Sequence, residues 1–103
     1  MNHYAKPRKI RKVNSRITMR IIEFHQKGYQ MDFLQINDYA LSCLQKEAVF
    51  PSEEVSVYLI DCCFNVLSRS FTYIHTVVTA DGIKGLLLGD KIAFMLKRPV
   101  TND

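Results

Sequence analysis

The chain has 103 residues, 48% of them hydrophobic and 23% charged, enough for one domain with one modest core and too few for two. No apolar run approaches the roughly 18 residues of a membrane span, and the basic start lacks the apolar segment of a secretory signal. A cytoplasmic protein is therefore expected.

The net charge of +4 hides an asymmetry. Residues 1–20 hold seven basic residues and no acid, while the remainder holds seven basic against ten acidic residues. Three cysteines, Cys43, Cys62 and Cys63, make an odd set with two adjacent members, a poor disulfide framework. There is no CxxC and no His/Cys spacing that suggests zinc, so no metal or cofactor is expected.

Residues 1–14 (MNHYAKPRKIRKVN) have few apolar residues and no stable period, and read as a flexible basic arm. Residues 15–98 are read as a single α+β domain, and 99–103 as a tail. Within the arm, Lys6, Arg8, Lys9, Arg11 and Lys12, with Arg16 after it, have the composition of a nucleic-acid contact. A solvated tail without a dedicated partner is the competing reading. No helix-turn-helix, RNP aromatic or zinc-finger pattern supports specific readout.

Ser15 is a helix N-cap by residue type and Gly28 a helix stop, which predicts a helix over about 16–27. Ile17, Ile21, Phe24 and Gly28 form its apolar stripe, with Ile22 and His25 beside it. MDFLQI (31–36) reads as a short strand followed by an Asn37-Asp38 turn. Residues 39–50 fit either a helix capped by Asp38 or a strand. Pro51 ends either, and PSEE reads as one helical turn or a loop.

VSVYLIDCCFNV (55–66) and FTYIHTVVTA (71–80) are rich in β-branched and aromatic residues and read as strands. TADGIKGLLLGD (79–90) holds three of the four glycines. A phosphate-binding loop needs Gly-Lys-Ser/Thr leading into a helix. Here Lys84 precedes Gly85 and three leucines follow, so Asp81-Gly82 reads as a two-residue hairpin turn and IKGLLL (83–88) as the returning strand. KIAFML reads as a fourth strand or a terminal helix.

With that turn, Ala80 opposes Ile83, Val77 faces Leu86 and His75 faces Leu88. With Leu67 opposite Ser70, Ile60 faces Val77, Cys62 faces His75 and Phe64 faces Tyr73. One face then collects Tyr58, Ile60, Cys62, Phe64, Val66, Phe71, Tyr73, Val77, Leu86 and Leu88, and the helix is expected to cover it. The opposite face holds Val57, Leu59, Cys63, Ile74, Val78 and Leu87. It is too apolar to stay wet, so residues 39–50 or a second subunit should cover it. Gly85 and Gly89 lie there, where a missing side chain lets another backbone or a ligand come close.

The predicted fold is α+β: an N-terminal helix packed on an antiparallel meander of three to four strands. Cys62 opposite His75 is a candidate thiol–imidazole pair, because a thiol beside an imidazole can be activated as a nucleophile. A packed core pair is the competing reading, since no third group orients the histidine. Asp61 in mid-strand is read as edge protection or as a polar partner of Thr76.

Over residues 17–89 the chain resembles a family of small bacterial proteins that commonly carry the label phosphoribosylpyrophosphate synthetase. The resemblance rests on Gly28, Tyr29, Asp32 and Phe33 after a helix, on Pro51, Glu53 and Val55 leading into a strand, and on DGIKG (81–85). That family has no established function to carry over. The synthetase itself is a much larger two-domain enzyme with an acidic ribose-phosphate loop, which has no counterpart here. Where the family has an acidic loop between its long strands, this chain has LSRS (67–70), and the basic arm is an addition.

These readings predict a small non-catalytic binding or regulatory module that forms a homodimer through the second sheet face. The alternative is a nucleic-acid-associated accessory protein that uses the basic arm. A thiol enzyme comes last.

Overall fold

A computed structural model describes residues 15–93. Helix α1 (Ser15–Gln26) is followed by strands β1 (Met31–Asn37), β2 (Ala40–Cys43) and β3 (Ala48–Pro51). One 3-10 turn (Ser52–Glu54) leads into β4 (Val55–Asn65), β5 (Ser70–Thr79) and β6 (Lys84–Gly89). The fold is α+β, with a six-stranded sheet ordered β3-β2-β1-β6-β5-β4. The sheet is mixed: β1 and β6 run parallel, and every other pair is antiparallel.

α1 ends where its chemistry requires. Gly28 takes φ +103°, a conformation open to glycine. Its N–H donates to the His25 carbonyl (3.0 Å), and the Tyr29 N–H donates to the Phe24 carbonyl (2.9 Å). This is the paired 6→1 and 5→2 helix stop, and the Phe24 and Tyr29 rings supply its apolar contact, edge to face at 5.8 Å.

Residues 39–50 form neither a helix nor one strand. They form the β2–β3 hairpin, with Leu41 opposite Phe50 and Cys43 opposite Ala48. Glu47 has φ +51° in its turn. The Gln45 amide fastens that turn to β1: the Asp32 N–H donates to Oε1 (2.8 Å) and Nε2 donates to the Asp32 carboxylate (2.6 Å). Pro51 closes β3, and PSEE is the helical turn of the two readings offered.

The meander of β4, β5 and β6 follows sequence order, but both hairpin registers differ from the expectation. The second loop has three residues, Ala80–Gly82. It closes on Thr79, whose N–H donates to the Ile83 carbonyl (2.9 Å) and whose hydroxyl accepts the Ile83 N–H (2.9 Å). The Thr79 hydroxyl also bonds the Asp81 carboxylate. Gly82 has φ +91°, as a three-residue loop ending in a left-handed glycine requires. The extra loop residue slips β6 by one, so Val77 faces Gly85 and His75 faces Leu87. A one-residue slip turns each side chain to the other face.

The first loop has four residues, closing at Asn65 and Ser70. The Asn65 carboxamide accepts the Leu67 and Ser68 N–H groups (3.0 and 3.3 Å), and Arg69 takes φ +58°. A bulge between Leu59 and Asp61 adds a further shift, so Leu59 opposes His75 and Cys62 opposes Tyr73.

The consequence is two cores rather than one covered face. α1 packs Ile17, Ile21 and Phe24 on Cys63, Ile74 and Leu86, with Ile60 turned to that side by the bulge. The helix therefore covers Ile60 and Leu86, expected beneath it, together with Cys63 and Ile74, expected on the other face. The other face buries Phe33, Leu41, Cys43, Val55, Val57, Val77, Leu87 and Ala93, with Phe50 and Ile83 against them. These residues come from all six strands. Edge strands β3 and β4 are joined by three residues, and both reach the same core through Phe50, Val55 and Val57. Cys63, Ile74 and Leu87, assigned to a dimer face, are buried within the protomer. Residues 90–93 are irregular; the rest of the KIAFML segment, and the arm at 1–14, lie outside the described residues.

Gly85 is where another backbone approaches. A Cβ there would collide with the Met31 carbonyl and come within 2.7 Å of the Phe33 ring. The visitor is the neighbouring strand β1, paired through Met31 and Gly85. Gly89 has no such neighbour.

Candidate functional site

The proposed thiol–imidazole pair is not formed. Cys62 and His75 share a sheet face, but Cys62 is exposed opposite Tyr73 and His75 is buried opposite Leu87. The Ala93 N–H can only donate, so the His75 Nε2 at 3.2 Å must accept. Nδ1 then carries the proton and donates to the Leu87 carbonyl at 3.0 Å. Burial pushes the imidazole below its ordinary range, partly opposed by the Leu87 bond. His75 is a neutral core residue with both nitrogens engaged, and it anchors the chain after β6.

Cys63 is no better suited to chemistry. Burial pushes its thiol up, and the nearby Asp61 carboxylate pushes the same way. A raised thiol holds little thiolate, the nucleophilic form. Among the described residues, no three His, Cys, Asp or Glu side chains are grouped to hold a metal ion. His25 Nε2 is buried without a hydrogen-bond partner among the described residues.

Asp61 has a different partner from the one expected. The bulge turns it toward α1, where Arg20 Nε donates to Oδ2 (2.8 Å) and Arg16 donates to Oδ1 (3.1 Å). The Cys62 N–H donates to Oδ1 at 2.7 Å. Burial pushes the carboxyl up; the Cys62 N–H and the two guanidinium groups outweigh it and hold Asp61 below its usual range. Arg20 also bonds Glu23 (2.7 Å), which Lys27 approaches at 3.3 Å. Arg16, assigned to a nucleic-acid contact, is thus engaged by Asp61. Lys6, Arg8, Lys9, Arg11 and Lys12 lie outside the described residues.

A cleft of about 330 Å³ opens where β1 and β6 part beyond their last pair, Phe33 and Leu87. Its lining combines Leu34, Leu88 and Ile92 with Asp38, Asp90, Lys91 and His75.

The other surface feature is the end of the β4–β5 hairpin. β6 pairs with β5 only from Tyr73 to Val78, so the hairpin runs on past it as a two-stranded ribbon. On the face opposite α1 the ribbon carries Cys62, Phe64, Phe71 and Tyr73, continued inward by Leu59. Phe64 and Phe71 meet edge to face at 5.3 Å, yet are 50% and 49% exposed. Val66 and Leu67 in the loop are also exposed. Strand periodicity placed Cys62, Phe64, Phe71 and Tyr73 on one face correctly; it did not show that the face would stay open, because that depends on where β6 and α1 end.

Among the described residues no helix is long and apolar enough to cross a membrane. No known protein family, curated protein or solved structure matches the chain.

Proposed function

We propose that the chain is a small non-catalytic binding module whose binding surface is the ribbon strip Leu59, Cys62, Phe64, Phe71 and Tyr73. The observation that carries this reading is the half-exposed Phe64–Phe71 pair on a ribbon that outruns the sheet. A lone two-stranded hairpin is marginal in water. Leaving two phenyl rings wet on it forgoes stability that burial would supply, about 1.5–3 kcal/mol for a fully buried Phe. Such surface marks an interaction site more often than an accident.

The test is a hydrophobic fluorescent dye added to the native protein at low micromolar concentration. The chain should enhance its emission, and a Phe64→Ser, Phe71→Ser variant with unchanged circular dichroism should lose most of that signal. Equal emission from both proteins would remove the strip as the binding surface.

The nucleic-acid alternative rests on the charge of residues 1–20, of which Arg16 and Arg20 already pair with Asp61. Salt titrations of binding to random duplex and single strands, full chain against a chain starting at Asn14, separate the two. Negligible binding by both would exclude it.

A further inference from the structure

We infer that the occupant of the ribbon strip is a second copy of the same chain, packed strip against strip about a two-fold axis in a weak, reversible dimer. This rests on the reading of the strip as the binding surface, and adds what binds there.

Charge is the first argument. Leu59, Cys62, Phe64, Phe71 and Tyr73 include no charged residue. Asp61, next in sequence, points to the opposite face and is paired with Arg16 and Arg20. A phosphate backbone or a charged peptide would find no counter-charge on the strip. A two-fold axis sets each surface against its own copy, so a charged strip would repel itself and an uncharged one does not.

Continuity is the second. β5 carries Phe71, Tyr73, His75 and Val77 on one face; the last two are buried and Phe71 is half exposed. The strip is the uncovered end of the protomer's own core, and interfaces between identical chains resemble a core cut in two.

Area sets the strength. A buried aromatic ring covers about 150–250 Å², so the two half-exposed Phe offer roughly 200 Å² and the whole strip roughly 400 Å² per protomer. Two such strips bury roughly 800 Å², below stable specific interfaces and in the range of weak, transient ones. The dimer should therefore come and go with concentration.

The experiment is sedimentation of the full chain from low micromolar to submillimolar concentration. The expected result is a monomer that becomes a dimer within that range. Phe71→Ser should raise the dissociation constant roughly tenfold or more, as removal of a central aromatic anchor does. Cys62→Lys, at an exposed position, sets like charges across the axis and should abolish the dimer in low salt. A monomer throughout, or a dimer that both folded variants leave unchanged, would overturn the inference. A monomer whose strip still binds dye would overturn the partner and keep the surface.

Discussion

Arg20 Nε and Asp61 Oδ2 lie 2.8 Å apart, although 41 residues separate them in the chain. The contact joins the middle of α1 to the bulge of β4, at a place where the strand's own ladder is broken. Arg20 also donates from Nη2 to the Ile60 carbonyl at 3.4 Å, at the bulge itself. Asp61 is 11% exposed, Arg20 29% and Arg16 71%, so the Arg16 arm of the pair is the most screened of the three.

Asp61→Asn keeps the shape and removes the charge. It should cost about 1–2 kcal/mol, a few degrees in Tm, because charge-assisted bonds from Arg20 and the Cys62 N–H become neutral ones. The folded Asp61 sits below its ordinary value of 3.8. Its contribution is therefore present above that value and fades as pH falls through the folded pKa. Chemical denaturation of wild type and Asp61→Asn between neutral and acid pH should show the difference shrinking toward acid. A difference that stays constant would mean that the charge contributes nothing.

His75 gives a second pH dependence of the same sign at higher pH. The groups facing it are the Leu87 carbonyl and the Ala93 N–H, and Asp38, Asp90 and Lys91 line the same cleft. Its folded pKa lies below the ordinary 6.5, so the unfolded chain binds more protons between the two values. Stability should fall as pH drops from about 6.5 through the folded pKa, with a slope of up to about 1.4 kcal/mol per pH unit. His75→Gln keeps a donor and an acceptor without titrating, and should flatten that slope. An unchanged slope would mean that His75 is not its source.

Gly85→Ala should be far worse than its one carbon suggests. The added Cβ meets the Met31 carbonyl, a backbone atom that cannot rotate away. Relief requires β1 and β6 to part, which are held by three residue pairs. A loss of about 3 kcal/mol or more is expected, as for other overpacked core sites. Gly89→Ala, with ordinary clearance, serves as the control and should cost less than about 1 kcal/mol. Thermal melts of both decide the matter.

Much of the architecture was legible in local chemistry. Gly28 marked the helix stop, and β-branched runs marked β4 and β5 to within about a residue. What failed was register, and for a definite reason. Asp81-Gly82 suits a two-residue turn, but the Thr79 hydroxyl offers the Ile83 N–H a partner that makes three residues the better closure. Neither that bond nor the bulge at Ile60 has a periodic signature. Each moves side chains between faces, and together they bring Cys63 and Ile74 to the same side as Ile60 and Leu86, beneath α1. The β2–β3 hairpin was hidden because its residues alternate weakly and its turn is fixed by Gln45 bonding to Asp32, a contact across 13 residues. The Cys62–His75 pair failed with the register on which it depended.

The three cysteines allow a direct check of both the register and the absence of thiol chemistry. Cys43 and Cys63 are buried and Cys62 is exposed, although Cys62 and Cys63 are neighbours in the chain. Alternation along an edge strand produces this, with Cys62 opposite Tyr73 and Cys63 opposite Thr72 beneath α1. Burial pushes the Cys63 thiol up, so at a given pH it offers less thiolate as well as less access. Alkylation of the native protein at neutral pH should therefore label one thiol quickly, and the other two only when the chain unfolds. Peptide mapping should place the fast label on Cys62. A fast label on Cys63 would reverse the faces of β4, and a rate at Cys62 far above that of a free thiol would revive a nucleophile on the ribbon.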